Sequence, residues 1–251
     1  MYRFVARNGP VLHDRVPFGR RLLPLLTILC LAGITACQNE QPTAQSTQPG
    51  VYVALGASDS VGIGADNPAT ENWPAVVHAG LPQGTKFINL GISGATLRDV
   101  LQQEVPPARD AQPQWVTLWS GVNDIRAGVA LPTFTAQLDE VLSQLVPADA
   151  AQAAGPMIVV LNIPDLRQLP VFRVVDPVLL DATVRQWNRA IAETAARHGA
   201  LVVDLYARAP ELAARPEYIS ADGFHPSTAG YRRIAELVLA IMNEHAAAPV
   251  Q

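Results

Sequence analysis

The stretch Val51-Tyr52-Val53-Ala54-Leu55-Gly56-Ala57-Ser58-Asp59-Ser60 joins a continuous apolar run to a glycine-led polar turn. Nearly unbroken hydrophobicity, rather than alternation, is what a strand covered on both faces requires. Four more runs of this kind follow at 86–90, 115–119, 157–161 and 201–205. Segments 73–81, 96–105, 134–146, 177–198 and 227–245 instead carry apolar residues at spacings of three and four, the period of a helix with one buried face. His198-Gly199 reads as a helix end, with a basic residue in the last turn and glycine just beyond. Strands alternating with helices predict a three-layer α/β/α sandwich around a five-stranded parallel sheet. Ligands of such sheets bind at the carboxyl ends of the strands, so the polar residues that follow each run are the candidates for chemistry.

Outward from this domain, the chain begins with a basic, apolar leader. Arg3, Arg7, Arg15, Arg20 and Arg21 precede an apolar run at 22–36, which contains Pro24 and is shorter than the roughly 20 residues a membrane-spanning helix needs. A basic segment, a short apolar segment and small residues before a cleavage point describe an export signal over residues 1–36. Its end, Ile34-Thr35-Ala36-Cys37, resembles the bacterial lipobox, whose cysteine is lipidated and becomes the mature N-terminus; the other readings are an ordinary signal peptide or an uncleaved anchor. Residues 38–50 hold no large apolar side chain, and 37–50 is therefore expected to be a flexible tether to a single domain at 51–251.

Cys30 and Cys37 are the two cysteines, so the exported domain is expected to contain no disulfide and to be held by its core. The chain has 18 basic and 22 acidic residues, and removal of residues 1–36 leaves 13 and 21, a net charge of −8. That balance argues against nucleic acid, or an anionic membrane surface, as a charge-driven partner. The remaining histidines, His13, His78, His198 and His245, have no metal-ligand partner at a suitable spacing, and no dinucleotide or metalloprotease motif is present. No cofactor or metal is implied.

Four polar blocks stand at the predicted strand ends or ahead of the last helix. Ser58, in Gly56-Ala57-Ser58-Asp59-Ser60, sits where a tight turn would present a hydroxyl at the sheet edge; a plain glycine-rich turn is the alternative. It is not the Gly-x-Ser-x-Gly elbow, because Ser60 occupies the second glycine position. Gly91, in Asn89-Leu90-Gly91, would let its N–H approach a bound oxygen closely, and Thr96 or a neighbour should cap the next helix. Asn123, in Ser120-Gly121-Val122-Asn123-Asp124, offers a neutral amide donor, or else forms an Asx turn with Asp124. Asp222-Gly223-Phe224-His225 puts a carboxylate beside an imidazole on one turn, as a general base requires, or makes a capping turn with a surface histidine.

In order and spacing, these four blocks resemble the SGNH hydrolases, or GDSL lipase/esterase family, across 51–245. Tyr52-Val53-Ala54-Leu55-Gly56 and Asn162-Ile163-Pro164-Asp165 resemble further stretches of that family. The resemblance implies a flavodoxin-like SGNH hydrolase fold and a cofactor-free serine esterase. It implies Ser58 as nucleophile, His225 as general base and Asp222 as its orienting partner. The Ser58 N–H, the Gly91 N–H and the Asn123 amide would then form the oxyanion hole. One departure is Ala57, which stands where the family usually has Asp before the serine, while Asp59 follows it; Ser60 is accordingly the runner-up nucleophile.

The expected substrate is a small ester (a lipid, a thioester or an acylated carbohydrate), and the expected form is a monomer. A lipidated Cys37 would hold it to the membrane of the cell envelope, and Gln38 after the cysteine favours the outer membrane or cell surface. The reading from a different class is a non-catalytic envelope lipoprotein that uses the same fold for binding. Trp115 and Trp119 are expected in the core; residues 165–168 follow the fourth strand as a loop or cleft lining, and Phe172 with 170–177 as a flap.

Overall fold

The computed structural model describes residues 49–146 and 155–248. The leader, Cys37 and the tether through residue 48 lie outside the described residues, and His13 and Cys30 with them.

Strand β1 (Val51–Gly56) is followed by α1 (Ser58–Val61), α2 (Pro68–Glu71) and α3 (Trp73–Ala79). After β2 (Lys86–Asn89) comes a helical stretch in three parts: α4 (Leu97–Asp99), a π-turn (Val100–Glu104) and α5 (Val105–Asp110). Next are β3 (Trp115–Trp119), α6 (Val122–Arg126), α7 (Leu131–Leu145) and β4 (Met157–Leu161). Two 3-10 turns, Leu166–Gln168 and Pro170–Phe172, lead into α8 (Pro177–Arg197); β5 (Leu201–Val203), α9 (Ala209–Ala214) and α10 (Thr228–Ala247) complete the domain.

The sheet has the order β2-β1-β3-β4-β5 with every pair parallel. This is the expected three-layer sandwich, and its central strands show why their sequences do not alternate. Val53, Leu55, Val116, Leu118, Ile158 and Val160 enter the core shared with α4, α5, α7 and α8. Their neighbours Tyr52, Ala54, Trp119, Val159 and Leu161 enter the core shared with α3 and α10. Successive side chains of a strand point to opposite faces, so a sheet covered on both needs apolar residues at every position. Thr117 is the polar exception, and its buried hydroxyl is satisfied by the Tyr52 hydroxyl at 2.8 Å.

Two local departures from expectation have visible causes. Strand β5 ends at Val203 rather than 205 because Asn162 captures the chain: its Oδ1 accepts the Leu205 N–H at 2.7 Å and its Nδ2 donates to Asp204 Oδ1 at 2.8 Å. The helix expected at 96–105 continues to Asp110 but widens into the π-turn ahead of Pro106 and Pro107. Proline lacks the N–H for an i→i−4 bond and its ring collides with the carbonyl one turn back, so the wider turn accommodates the pair. Asn123 and Asp124 lie in α6 rather than in an isolated Asx turn. Thr96 does cap α4, with its N–H and its hydroxyl both donating to Asp99 Oδ2, at 2.9 and 2.7 Å.

Candidate active site

The loops after β1, β2, β3 and β4 emerge at one edge of a parallel sheet, and the turn before α10 joins them. Gly56 ends β1 at φ 144°, a conformation that favours glycine, and an added Cβ would stand 2.5 Å from the Trp119 carbonyl oxygen. The chain reverses through Ala57 and starts α1 at Ser58. As the first helical residue, Ser58 has an N–H with no intrahelical acceptor.

Asp222 organises the opposite side of the site. Its Oδ1 accepts the Ser220 hydroxyl at 2.8 Å and the N–H groups of Phe224 and His225 at 2.8 and 2.9 Å. Oδ2 lies 2.6 Å from His225 Nδ1. Burial alone would raise the pKa of this carboxyl, but the His225 ring, those two N–H groups and the Ser220 hydroxyl outweigh it and hold the group well below the usual range. An ionised carboxylate only accepts, so Nδ1 carries the proton and leaves Nε2 as the acceptor. That nitrogen is 2.9 Å from Ser58 Oγ. Ser58, His225 and Asp222 are therefore brought together across 167 residues of chain.

Ser60 is placed differently. It is fully buried, and its hydroxyl donates to the Leu55 carbonyl at 3.3 Å. It packs beneath Gly91, where a Cβ would meet Ser60 Cβ at 2.7 Å. Gly91 is thus required by close approach to α1, and its N–H donates to Asn89 Oδ1 at 3.1 Å. Asn123 Nδ2 donates one hydrogen to the Ala95 carbonyl at 2.9 Å, and an amide nitrogen carries a second. Asp124, buried beside it, accepts the Leu97 N–H and ties α6 to α4; burial pushes its pKa up, and the Leu97 contact opposes the rise.

Sequence reasoning missed two supports of the Ser58 turn. Asn89 Nδ2 donates to the Ser60 carbonyl at 2.6 Å while Oδ1 holds Gly91, so one side chain joins β2 to α1. Glu104, fully buried on the π-turn, accepts the Gly56 N–H on Oε2 at 2.8 Å. Its Oε1 makes no hydrogen bond among the described residues. Burial pushes its pKa up to about 8, against the N–H groups of Gly56 and Ile92. Asn89 stands in the polar block around Gly91 but had no role assigned to it, and no local spacing marks Glu104.

Asp59 is half-buried and borders, with His225, a cavity of about 100 Å³ whose other walls include Trp119, Leu166, Leu205 and Leu237. Burial pushes Asp59 up to about 6; the charge of His225 opposes the rise and that of Asp222 adds to it. Of the segment after β4, Leu166 is fully buried, and Asp165 is buried in an ion pair with Arg167 Nε at 2.8 Å. Phe172 is buried and packs on Phe224, with ring centroids 6.1 Å apart. Trp119 is buried, and Trp115 packs at the edge of the same core. His78 stacks on Phe87 and His198 pairs with Asp139, both away from the site. Among the described residues no group of three or more His, Cys, Asp or Glu side chains is arranged to hold a metal ion.

A model of the GDSL-like Lipase/Acylhydrolase family matches residues 54–233. An acetylxylan esterase of Geobacillus stearothermophilus is 26% identical over 165 residues, covering 62% of this chain and 71% of that protein. Among solved structures, the lipase/acylhydrolase from Enterococcus faecalis superposes with a TM-score of 0.60 at 20% identity, covering 80% of this chain and 98% of its own. A catalytic mutant of an acetylxylan esterase from G. stearothermophilus gives 0.62 at 21% identity, with 77% and 94% covered. The Clostridium thermocellum family 3 carbohydrate esterase gives 0.59 at 18% identity, with 79% and 97% covered. At these identities the structural likeness speaks for the fold.

Proposed function

The chain belongs to the GDSL-like Lipase/Acylhydrolase family and is a carboxylic ester hydrolase, and on that premise we propose that Ser58, His225 and Asp222 form its catalytic triad. The observation that carries the assignment is the pair of contacts on His225: 2.9 Å from Nε2 to Ser58 Oγ and 2.6 Å from Nδ1 to Asp222. Ser60 turns its hydroxyl to the Leu55 carbonyl instead, which speaks against it as the nucleophile.

In the first step Ser58 Oγ attacks the ester carbonyl while Nε2 takes its proton. The imidazolium is stabilised by Asp222, which stays ionised because its pKa is held low. The oxyanion would be met by the N–H of Ser58 and the second amide hydrogen of Asn123, with the Gly91 N–H shared between it and Asn89. Collapse of the tetrahedral intermediate releases the alkoxide, which leaves as the alcohol with the proton from Nε2. Water then attacks the acyl-enzyme, again giving its proton to Nε2, and the carboxylic acid departs as Ser58 is restored.

Hydrolysis of p-nitrophenyl esters of increasing acyl length, with Ser58→Ala and Ser60→Ala alongside, tests this reading. Activity lost in Ser58→Ala and kept in Ser60→Ala is the expected result; the reverse would transfer the role to Ser60, and no activity in the folded parent would favour a binding role.

Residues 1–36 are proposed as a signal peptide, 37–50 as a tether and 51–251 as the hydrolase domain. The supporting observation is the lipobox-like Ile34-Thr35-Ala36-Cys37 followed by a polar stretch. Lipidation would tether a monomeric enzyme to the cell envelope, with the outer membrane or cell surface as its location. Metabolic labelling with an alkynyl fatty acid that persists in Cys37→Ala would refute that anchor.

A further inference from the structure

Single exposed apolar side chains are ordinary on any protein, whereas their concentration on one rim is informative. Among the described residues, five of the exposed large apolar side chains fall within residues 171–179: Val171, Val174, Val175, Val178 and Leu179. Val174, ahead of α8, is 93% exposed, and Val178 and Leu179 in its first turn are 77% and 65% exposed, values far above those of side chains packed on a core. The two others, Ile63 and Ile92, follow the Ser58 helix and Gly91. Local bonds keep them close to the site: the Ile63 N–H donates to the Ser58 carbonyl at 3.1 Å, and the Ile92 N–H to the Gly56 carbonyl at 3.0 Å.

The stretch 171–179 is bound to the other side of the same site. The Val171 N–H donates to the Gly223 carbonyl at 3.3 Å, inside the turn that carries Asp222 and His225. Phe172 packs on Phe224, whose ring in turn meets the His225 ring at 4.7 Å. All of these loops leave the carboxyl ends of parallel strands, so the apolar side chains share one edge of the sheet with Ser58. Two arginines are interleaved with them. Arg126 lies over the Phe224 ring, 5.1 Å from its centroid, and Arg173 is exposed between Phe172 and Val174.

We infer that this rim docks the enzyme on a lipid surface and that its substrate is an ester presented there by an amphiphile; the substrate part of the inference rests on the hydrolase reading above. Two considerations select lipid as the occupant. A protein seated on a rim that flanks Ser58 from two sides would close the route to it, whereas an amphiphile layer brings its own ester groups to the opening. The sequence also carries, ahead of Pro49, the proposed lipidation residue Cys37 joined to the domain by a polar stretch. Residues 38–48 reach about 35–40 Å when extended, roughly the width of a domain of this size. Such a tether lets the domain turn its carboxyl-edge face to the surface, although the chain enters at the amino edge. Apolar side chains with interleaved arginines suit the boundary between acyl chains and headgroups. The net charge of −8 for residues 37–251 makes insertion, rather than attraction to anionic lipid, the driving force.

The test has two arms on the full-length chain. In the first, Val174→Asp/Val178→Asp is compared with the parent on dissolved p-nitrophenyl acetate and on a long-chain p-nitrophenyl ester carried in phosphatidylcholine vesicles. The expected result is acetate turnover within twofold of the parent and a fall of about tenfold or more on vesicles; equal rates, or equal falls, on both would overturn the inference. In the second arm Val174→Cys, in a Cys30→Ser/Cys37→Ser background, carries an environment-sensitive nitrobenzoxadiazole label, with Glu244→Cys at the opposite edge as control. Addition of vesicles should shift the emission at 174 to the blue and leave that at 244 unchanged. No shift at 174, the same shift at both positions, or a blue emission at 174 before lipid is added would each overturn it, the last by pointing to a protein contact. The label reports without catalysis, so loss of acetate hydrolysis with an intact shift would refute the hydrolase reading alone.

Discussion

Replacing Glu104 by glutamine keeps an acceptor for the Gly56 N–H and removes a buried ionisable group, which makes the carboxyl's contribution to stability measurable. The group titrates near 4.5 in the unfolded chain and about 8 in the folded one. Between those values the unfolded chain has lost the proton that the native protein still holds, so native stability falls as pH rises from about 4.5 and levels off above about 8. At about 1.4 kcal/mol for each tenfold change in proton affinity, the whole window is worth on the order of 5 kcal/mol. Below pH 5 the parent and Glu104→Gln should differ only by the change from a hydroxyl to an amide donor, about 1–2 kcal/mol. At pH 8.5 the variant should gain about 3–5 kcal/mol relative to that difference, which for a domain of this length is a Tm shift of roughly 10 °C. Thermal unfolding followed by circular dichroism from pH 5 to pH 9 checks this. Parallel pH curves for the two proteins would refute the argument, because they would mean that Glu104 is not protonated in the native state at neutral pH.

Three further substitutions probe the site. Asn123→Ala should lower kcat about a hundredfold through loss of an oxyanion donor while the fold is retained by circular dichroism; turnover near that of the parent would remove the residue from the oxyanion hole. Asp222→Asn should reduce turnover by about four orders of magnitude, as expected when a triad carboxylate no longer fixes the imidazole tautomer, and a loss below tenfold would contradict its role. Gly91→Ala places a Cβ 2.7 Å from Ser60 Cβ and 3.3 Å from the Ala57 carbonyl, so it should lower Tm, at a cost of about 1–3 kcal/mol for overpacking, and displace α1. A variant with unchanged Tm and activity would show that α1 accommodates the methyl group.

The sheet was legible because its strands are buried on both faces: 115–119 and 157–161 read as strands from their unbroken apolar runs and form β3 and β4 with those bounds. Residues 51–55 gain only Gly56. The site blocks were legible for a related reason, since polar residues directly after such runs must emerge at one edge of a parallel sheet. The choice between Ser58 and Ser60 was open from the residues themselves. Both stand in the same turn, and only the first-turn geometry of α1 sends one hydroxyl to His225 and the other to the Leu55 carbonyl. Glu104 was invisible because its partner, Gly56, is 48 residues away and a π-turn ahead of two prolines aims it inward. Val178 and Leu179 fitted the helical apolar period of 177–198, yet they lie beyond the core's reach at the first turn of α8, where they are exposed.

The central claim is that Ser58 is the nucleophile, and a fluorophosphonate that captures activated serines tests it most directly. After reaction of the native protein and proteolysis, mass spectrometry should find one stoichiometric adduct, on the peptide residue Ser58. It should be absent from His225→Ala, which lacks the base that activates the hydroxyl. An adduct on Ser60, or no adduct in a preparation that hydrolyses esters, would contradict the account.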